Sequence, residues 1–374
     1  MSEPRFKIGL IGCGAIAQIQ YLPLLRAMPT EFAIGGLCDV SEDVLTRLSD
    51  IYGVPPERRF RDYRALLQSD IDAVVVCNSG SHAPPTIAAA DAGKHILVEK
   101  PICTTPSEGR AMVAAAERAG VVLMAGYMKR YDPGYRFAAA RVSQMAAIRF
   151  IEVRHLHPDN ASHLARFNLI RGGDLSFSAR AELEADYGAA VAAMLGFGTT
   201  EGMPVALRKA FFWVHNSMIH DLGNLHGLFG PPDRVVSTEI WAEGNAIAVT
   251  LAYPDERRAV CSWIDLPHLP HFEETLAVYG AAERLTISFP TGFSIGLPIT
   301  VVQDTESATG PSSETRSWHE NPFALELRHL AHCARSGTIP DTDGRSAVLD
   351  IELVRDIFLT YLGRSAVNDV ASEP

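Results

Sequence analysis

Gly12-Cys13-Gly14-Ala15-Ile16-Ala17 stands between an apolar run and a helical pattern, as G-x-G-x-x-A. Gly12 permits a tight turn, Gly14 lets backbone approach a pyrophosphate, and Ala17 lets a helix pack close to a strand. The helix start behind them offers N–H donors and a positive dipole to an anion. Asp39 ends a second apolar run, where a carboxylate accepts hydrogen bonds from adenosine ribose hydroxyls and repels a 2′-phosphate. Val40-Ser41-Glu42 after it holds no Arg or Lys, so NAD is expected rather than NADP. Glu99-Lys100-Pro101 follows another strand. An ammonium at the carboxyl end of a parallel strand orients a substrate hydroxyl and steadies charge on its oxygen during hydride transfer. Asn216 and His220 are spaced one helical turn apart, and an imidazole exchanges a proton near neutral pH. The expected cofactor contacts are Gly12, Gly14, Ala15, Ile16, Ala17, Asp39, Asn78, His82, Glu99 and Lys100. The expected catalytic set is Lys100, His220 and Asn216.

These residues need a frame of strands ending at one edge. Phe6 to Ile11, Phe32 to Cys38, Asp72 to Cys77, His95 to Val98 and Val121 to Gly126 are short apolar runs. Helical patterns separate them: Ala15 to Met28 with Pro23 as a kink or boundary, Glu42 to Tyr52 capped by Ser41, Pro84 to Ala92, and Pro106 to Gly120 opened by the capping box of Thr105 and Glu108. Such repeated βα units predict a doubly wound parallel sheet. Ile148 to Leu156 is extended. Residues 177 to 195 form an amphipathic helix with Leu183, Tyr187, Val191 and Met194 on one stripe. From Asp233 to Phe289 a strand meander predicts an antiparallel sheet. Residues 303 to 318 are polar and expected as a loop. Two helices close the chain, with stripes through Phe323, Leu327, Leu330, Ala331 and Ala334, and through Leu349, Leu353, Ile357 and Tyr361.

Composition narrows the class. The 374 residues are 47% hydrophobic and 21% charged, enough for two sizeable cores. Against 44 Asp and Glu there are 33 Lys and Arg, a net charge of −11, which repels nucleic acid. The six cysteines show no CxxC spacing and read as reduced, buried thiols; with no ligand set beside the histidines, no metal is expected. Neither a signal peptide nor a membrane span is visible, so a cytoplasmic protein is expected.

Taken together, GLIGCGAIA, Asp39, VEKP, GYMKRYDP and the His220-Asp221 to Gly230 spacing resemble the Gfo/Idh/MocA family of oxidoreductases. The resemblance covers most of the chain except residues 157 to 205. It implies a Rossmann domain over residues 1–127. An α+β domain with a large open, mostly antiparallel sheet would follow over 128–374 and build homodimers or homotetramers. It implies NAD(H)-dependent hydride transfer to or from a sugar, keto-sugar or cyclitol, with Lys100 as catalytic lysine and His220 as acid/base. Substrate contacts would be Lys100, Tyr127, Arg130, Asn216 and His220. Asn216 stands where many relatives carry aspartate, and it orients an imidazole without stabilising its charge. Other branches use a tyrosine; Tyr127 and Tyr187 are the candidates. Arg154, His157, His163, Arg166 and Arg171 suit a phosphate or carboxylate on the substrate. Two other readings are an imine or keto-sugar reductase of the same fold, and a non-catalytic dinucleotide-binding protein.

Overall fold

The computed structural model describes residues 4–174, 177–307 and 310–364. Six strands build the first sheet: β1 (Phe6–Ile11), β2 (Phe32–Cys38), β3 (Arg59–Phe60), β4 (Ala73–Val76), β5 (His95–Glu99) and β6 (Leu123–Gly126). All are parallel, in the order β3-β2-β1-β4-β5-β6. Every residue of β4 is fully buried, because helices cover both faces of a parallel sheet and its strands become continuous apolar runs. The winding reverses between β1 and β4, which opens a crevice at the carboxyl ends of those strands. The expected helix over Ala15 to Met28 changes type along its length. A π turn over Ala17–Tyr21 passes without a break into an α-helix at Leu22–Ala27, and Pro23 follows directly on the π turn. Ser41 accepts from the Val44 N–H at 3.1 Å and caps the helix Glu42–Tyr52. Thr105 and Glu108 form the expected capping box of the helix Pro106–Ala119.

Eight strands build the second sheet: β7 (Phe150–His157), β8 (Arg234–Trp241), β9 (Ala246–Ala252), β10 (Arg258–Asp265), β11 (Glu273–Tyr279), β12 (Glu283–Phe289), β13 (Ile299–Ser307) and β14 (Gly310–Trp318). Their order is β14-β13-β12-β11-β7-β10-β9-β8, antiparallel except where β7 lies parallel to β10. The polar run 303–318 is therefore a correction: its described residues lie in the hairpin β13–β14, not a loop. Between its ends β14 is exposed on both faces, so no apolar alternation marks it, and polar side chains suit an edge strand that must not pair with other chains. Along β7, Ile151, Val153, His155 and His157 alternate inward while Phe150 and Arg154 face solvent.

The chain returns to the first sheet at its end. The helix Pro322–Ser336 lays Phe323, Leu327, Leu330 and Ala331 into the core with Leu10, Tyr21 and Leu97. The helix Gly344–Tyr361 packs on Pro106–Ala119 so closely that a Cβ on Gly109 would stand 2.5 Å from Val348. Of the stripe expected on the helix Phe177–Met194, Val191 is buried and Tyr187 and Met194 pack against the core; the side chain of Leu183 lies outside the described residues. Among the described residues no helix is long and apolar enough to cross a membrane.

Candidate functional site

At the carboxyl end of β1, Gly12 donates to the Cys38 carbonyl at 2.8 Å and takes φ +90°. A Cβ there would stand 2.4 Å from the Asn78 Cα, so the turn tolerates only glycine while the chain leaving β4 lies against it. Gly14 meets nothing within 4 Å and borders open space, as a turn receiving a pyrophosphate requires. Ala15 and Ile16 are half-buried beside it, and Ala17 is buried against the sheet. The Asp39 carboxylate accepts the Cys13 N–H at 2.8 Å and the Ser41 N–H at 2.9 Å. It ties the glycine turn to the next helix and keeps lone pairs for ribose hydroxyls. Asn78 leaves a buried Oδ1 without a hydrogen-bond partner among the described residues. Open space at Gly14, the Asp39 carboxylate and this orphaned acceptor fit a dinucleotide. His82 and Glu99 are committed elsewhere. The His82 ring nitrogens face the Pro101 and Asn78 carbonyls at 2.9 and 3.0 Å, which ties the ends of β4 and β5 together. Glu99 accepts the Tyr21 hydroxyl at 2.7 Å and the Lys100 N–H at 3.1 Å.

Lys100 begins a cis peptide with Pro101 just beyond β5. Its Nζ donates to the Asn216 carbonyl at 2.8 Å. Asn216 lies in a π turn, Val214–Met218, inserted before the helix Ile219–Phe229. The expected pairing of Asn216 with His220 is not made: no hydrogen bond joins the two side chains among the described residues. The Asn216 side chain donates to the Phe212 carbonyl at 3.0 Å, and the His220 Nδ1 is buried without a partner among the described residues. Asn216 thus serves the site through its backbone, holding Lys100. Burial holds Lys100 below its ordinary pKa, and burial with the charges of Lys129 and Lys100 holds His220 well below its own. His220 is therefore a neutral imidazole, able to accept a proton.

Tyr127 and Arg130, expected as substrate contacts, both pack against the helix Ile219–Phe229. Tyr127 is 2% exposed and its ring fills the space over Gly223, where a Cβ would come within 3.1 Å of it. Arg130 packs on Gly227 and donates to the Asp341 carbonyl at 2.8 Å, bracing the last helices. Tyr187 meets the His215 Nδ1 at 3.1 Å, and His215 faces the Cys103 carbonyl at 2.9 Å, so that hydroxyl supports the wall behind Pro101. Arg154 points to the opposite face of β7 from His157 and pairs with Glu273 at 2.6 Å. Arg166 and Arg171 are exposed, and His163 is half-buried.

Sequence reasoning left out a buried network beside Lys100 and His220. Lys129 pairs with Glu274, and His155 Nδ1 lies 2.7 Å from Asp221 and 4.0 Å from Glu274. All four are at most 4% exposed. Burial pushes Asp221 up to about 7 and His155 down to about 4. His155, Asp221 and Glu274 bring three ligand atoms within 4.8 Å of one another, a set that by type could hold a divalent cation. The Lys129 ammonium already takes both Glu274 oxygens and supplies the positive charge itself. Alternation was the available signal: Glu274 shares the buried face of β11 with Leu276 and Val278.

Fold and site together define an α/β protein with a Rossmann nucleotide sheet and a large open second sheet. Residues 6–127 match the model of GFO_IDH_MocA, the oxidoreductase family with an NAD-binding Rossmann fold. The D-apiose dehydrogenase of Paraburkholderia graminis is 27% identical over 373 residues, 95% of this chain and 88% of that protein. The inositol 2-dehydrogenase of Paracoccus denitrificans is 34% identical over 156 residues, 41% of this chain and 46% of that enzyme. Among solved structures, the aldose-aldose oxidoreductase of Caulobacter crescentus, in complex with glycerol, aligns at TM-score 0.71 and 20% identity over 96% of this chain and 99% of its own. A 3-ketoreductase of Actinomadura kijaniata, in complex with TDP-benzene and NADP, aligns at TM-score 0.69 and 19% identity over 96% and 98%. Residues 6–127 are similar to the NAD-binding Rossmann domain of the Gfo/Idh/MocA oxidoreductases, and the full-length likeness to the D-apiose dehydrogenase extends the resemblance over the second domain.

Proposed function

We propose that the protein exchanges hydride between NAD(H) and a carbon of a sugar, keto-sugar or cyclitol. The observation that carries this reading is Lys100: an ammonium held at the tip of β5 by one carbonyl, with two N–H donors left, one turn of chain from an unpartnered imidazole. Gly12, Gly14, Ala17 and Asp39 would hold the dinucleotide, whose nicotinamide supplies or takes the hydride. Lys100 holds the substrate oxygen and stabilises negative charge on it. His220 takes the hydroxyl proton in oxidation and returns it in reduction. Asp39 with no cation in Val40-Ser41-Glu42 supports NAD over NADP. The relatives named for apiose and inositol support the substrate class.

The test is a screen of aldoses, inositols and keto-sugars for reduction of NAD or oxidation of NADH, followed at the absorbance of the reduced cofactor. Turnover on at least one polyol or keto-sugar is expected. NADH binding without turnover on any of them would favour a non-catalytic dinucleotide-binding protein. The pH profile of kcat/KM in the oxidative direction follows from the two groups. Protonation of His220 sets the acid limb, which is expected below its ordinary 6.5, because burial, and then the charges of Lys129 and Lys100, disfavour the imidazolium. Loss of the Lys100 proton sets the alkaline limb, expected below the ordinary 10.5. An acid limb above 7 would remove His220 from this role.

A further inference from the structure

The segment that departs from the family resemblance reaches back onto the nucleotide turn. Gln18 donates to the Ile170 carbonyl at 2.9 Å and accepts the Ile170 N–H at 2.8 Å, while also holding the Cys13 carbonyl at 2.8 Å. Two residues on, Gly172 lies against Ser41, whose Oγ would stand 2.5 Å from a Cβ there. Asp174 follows. Its carboxylate accepts the Ser41 hydroxyl through one oxygen and the Glu42 N–H at 2.8 Å through the other. These donors open the helix Glu42–Tyr52, immediately after Asp39. Arg61 stands at the same rim, its guanidinium donating to the Val40 carbonyl at 2.9 Å.

A hydroxyl, a helix N-terminal N–H and a guanidinium just past the ribose-binding carboxylate are the donors a 2′-phosphate would use. In this chain an internal carboxylate already holds two of them. Resting on the dinucleotide reading above, we propose that Asp174 is the residue that fixes cofactor specificity: it stands in for the 2′-phosphate at the start of the helix Glu42–Tyr52 and excludes NADP. The effect has two parts. The carboxylate occupies the donors, and its charge adds to that of Asp39 against an incoming phosphate. The Ser41 hydroxyl bond holds Asp174 below the ordinary carboxylate range, so it stays charged through neutral pH.

Tryptophan quenching on the full chain, with NADH and NADPH titrated separately, tests this without any substrate. Wild type is expected to bind NADH more tightly. In Asp174→Asn the NADPH affinity should rise about tenfold or more, the scale of one or two charge-assisted hydrogen bonds, while NADH affinity stays within about threefold. Adding Arg61→Ala should reverse most of that gain, and Asp174→Glu should keep the wild-type preference. The same ranking is expected of the fragments 2′,5′-ADP and 5′-AMP. Equal shifts for both dinucleotides in Asp174→Asn, or none, would overturn the proposal, as would a wild type that prefers NADPH. A wild type that binds neither would overturn the dinucleotide reading itself.

Discussion

Replacing Lys100 with Met is expected to lower kcat about 100- to 1,000-fold, the scale for removing one donor aimed at developing charge, while NADH affinity stays within a few fold. The separation follows from geometry. The glycine turn and Asp39 that would hold the dinucleotide lie at the ends of β1 and β2, and Lys100 lies at the end of β5. Folding should not suffer, because the ammonium is already disfavoured by burial and methionine leaves the stem in place. The Asn216 carbonyl loses its donor, on a residue that is itself only half-buried. Stopped-flow hydride transfer, NADH titration and thermal melting on one preparation separate the outcomes. Unchanged turnover would remove Lys100 from the reaction. A parallel loss of NADH affinity and melting temperature would make it a scaffold residue.

What could be read beforehand depended on how each residue is buried. Strands covered on both faces announce themselves: β2 and β4 are unbroken apolar runs, β1 is interrupted only by Lys7, and β5 is polar only at its ends, His95 and Glu99. β3 has two residues, too few for any pattern, and β14 is exposed along most of its length, so neither leaves a hydrophobic period. Lys100 was legible because its place is fixed by strand topology alone. The role of Asn216 was not, because it acts through its backbone carbonyl, and nothing in the letters marks the π turn in which that carbonyl lies. Tyr127 and Arg130 sit in a stretch whose residues split between two environments. Lys129 pairs with Glu274, while its neighbours Tyr127 and Arg130 pack on the helix Ile219–Phe229. Asp174 was beyond sequence reasoning, since 133 positions separate it from Ser41 and only the fold brings them together.

The buried pair carries the largest stability effect. Lys129→Met is expected to destabilise the fold by about 3–5 kcal/mol at pH 8, the scale for breaking a buried ion pair from one side. Lys129 is 4% exposed and Glu274 1%, and Glu274 lies beside Asp221 and His155, so the remaining carboxylate has no water and no cation to turn to. It escapes by binding a proton. Burial already pushes Glu274 upward, and without Lys129 it must move further. The sign then follows: a carboxylate with a raised pKa in the folded state binds more protons folded than unfolded, so stability is regained as pH falls through that raised value. The deficit measured by chemical denaturation should be largest at pH 8 and clearly smaller at pH 5. Adding Glu274→Leu should recover most of it, because an apolar pair replaces the stranded charge. Lys129 is also one of the charges that keep His220 neutral, so the single variant should shift the acid limb of turnover upward. A deficit below about 1 kcal/mol, the range of an exposed pair, or one equal at both pH values, would mean that water reaches Glu274 and that the network does not tune the site.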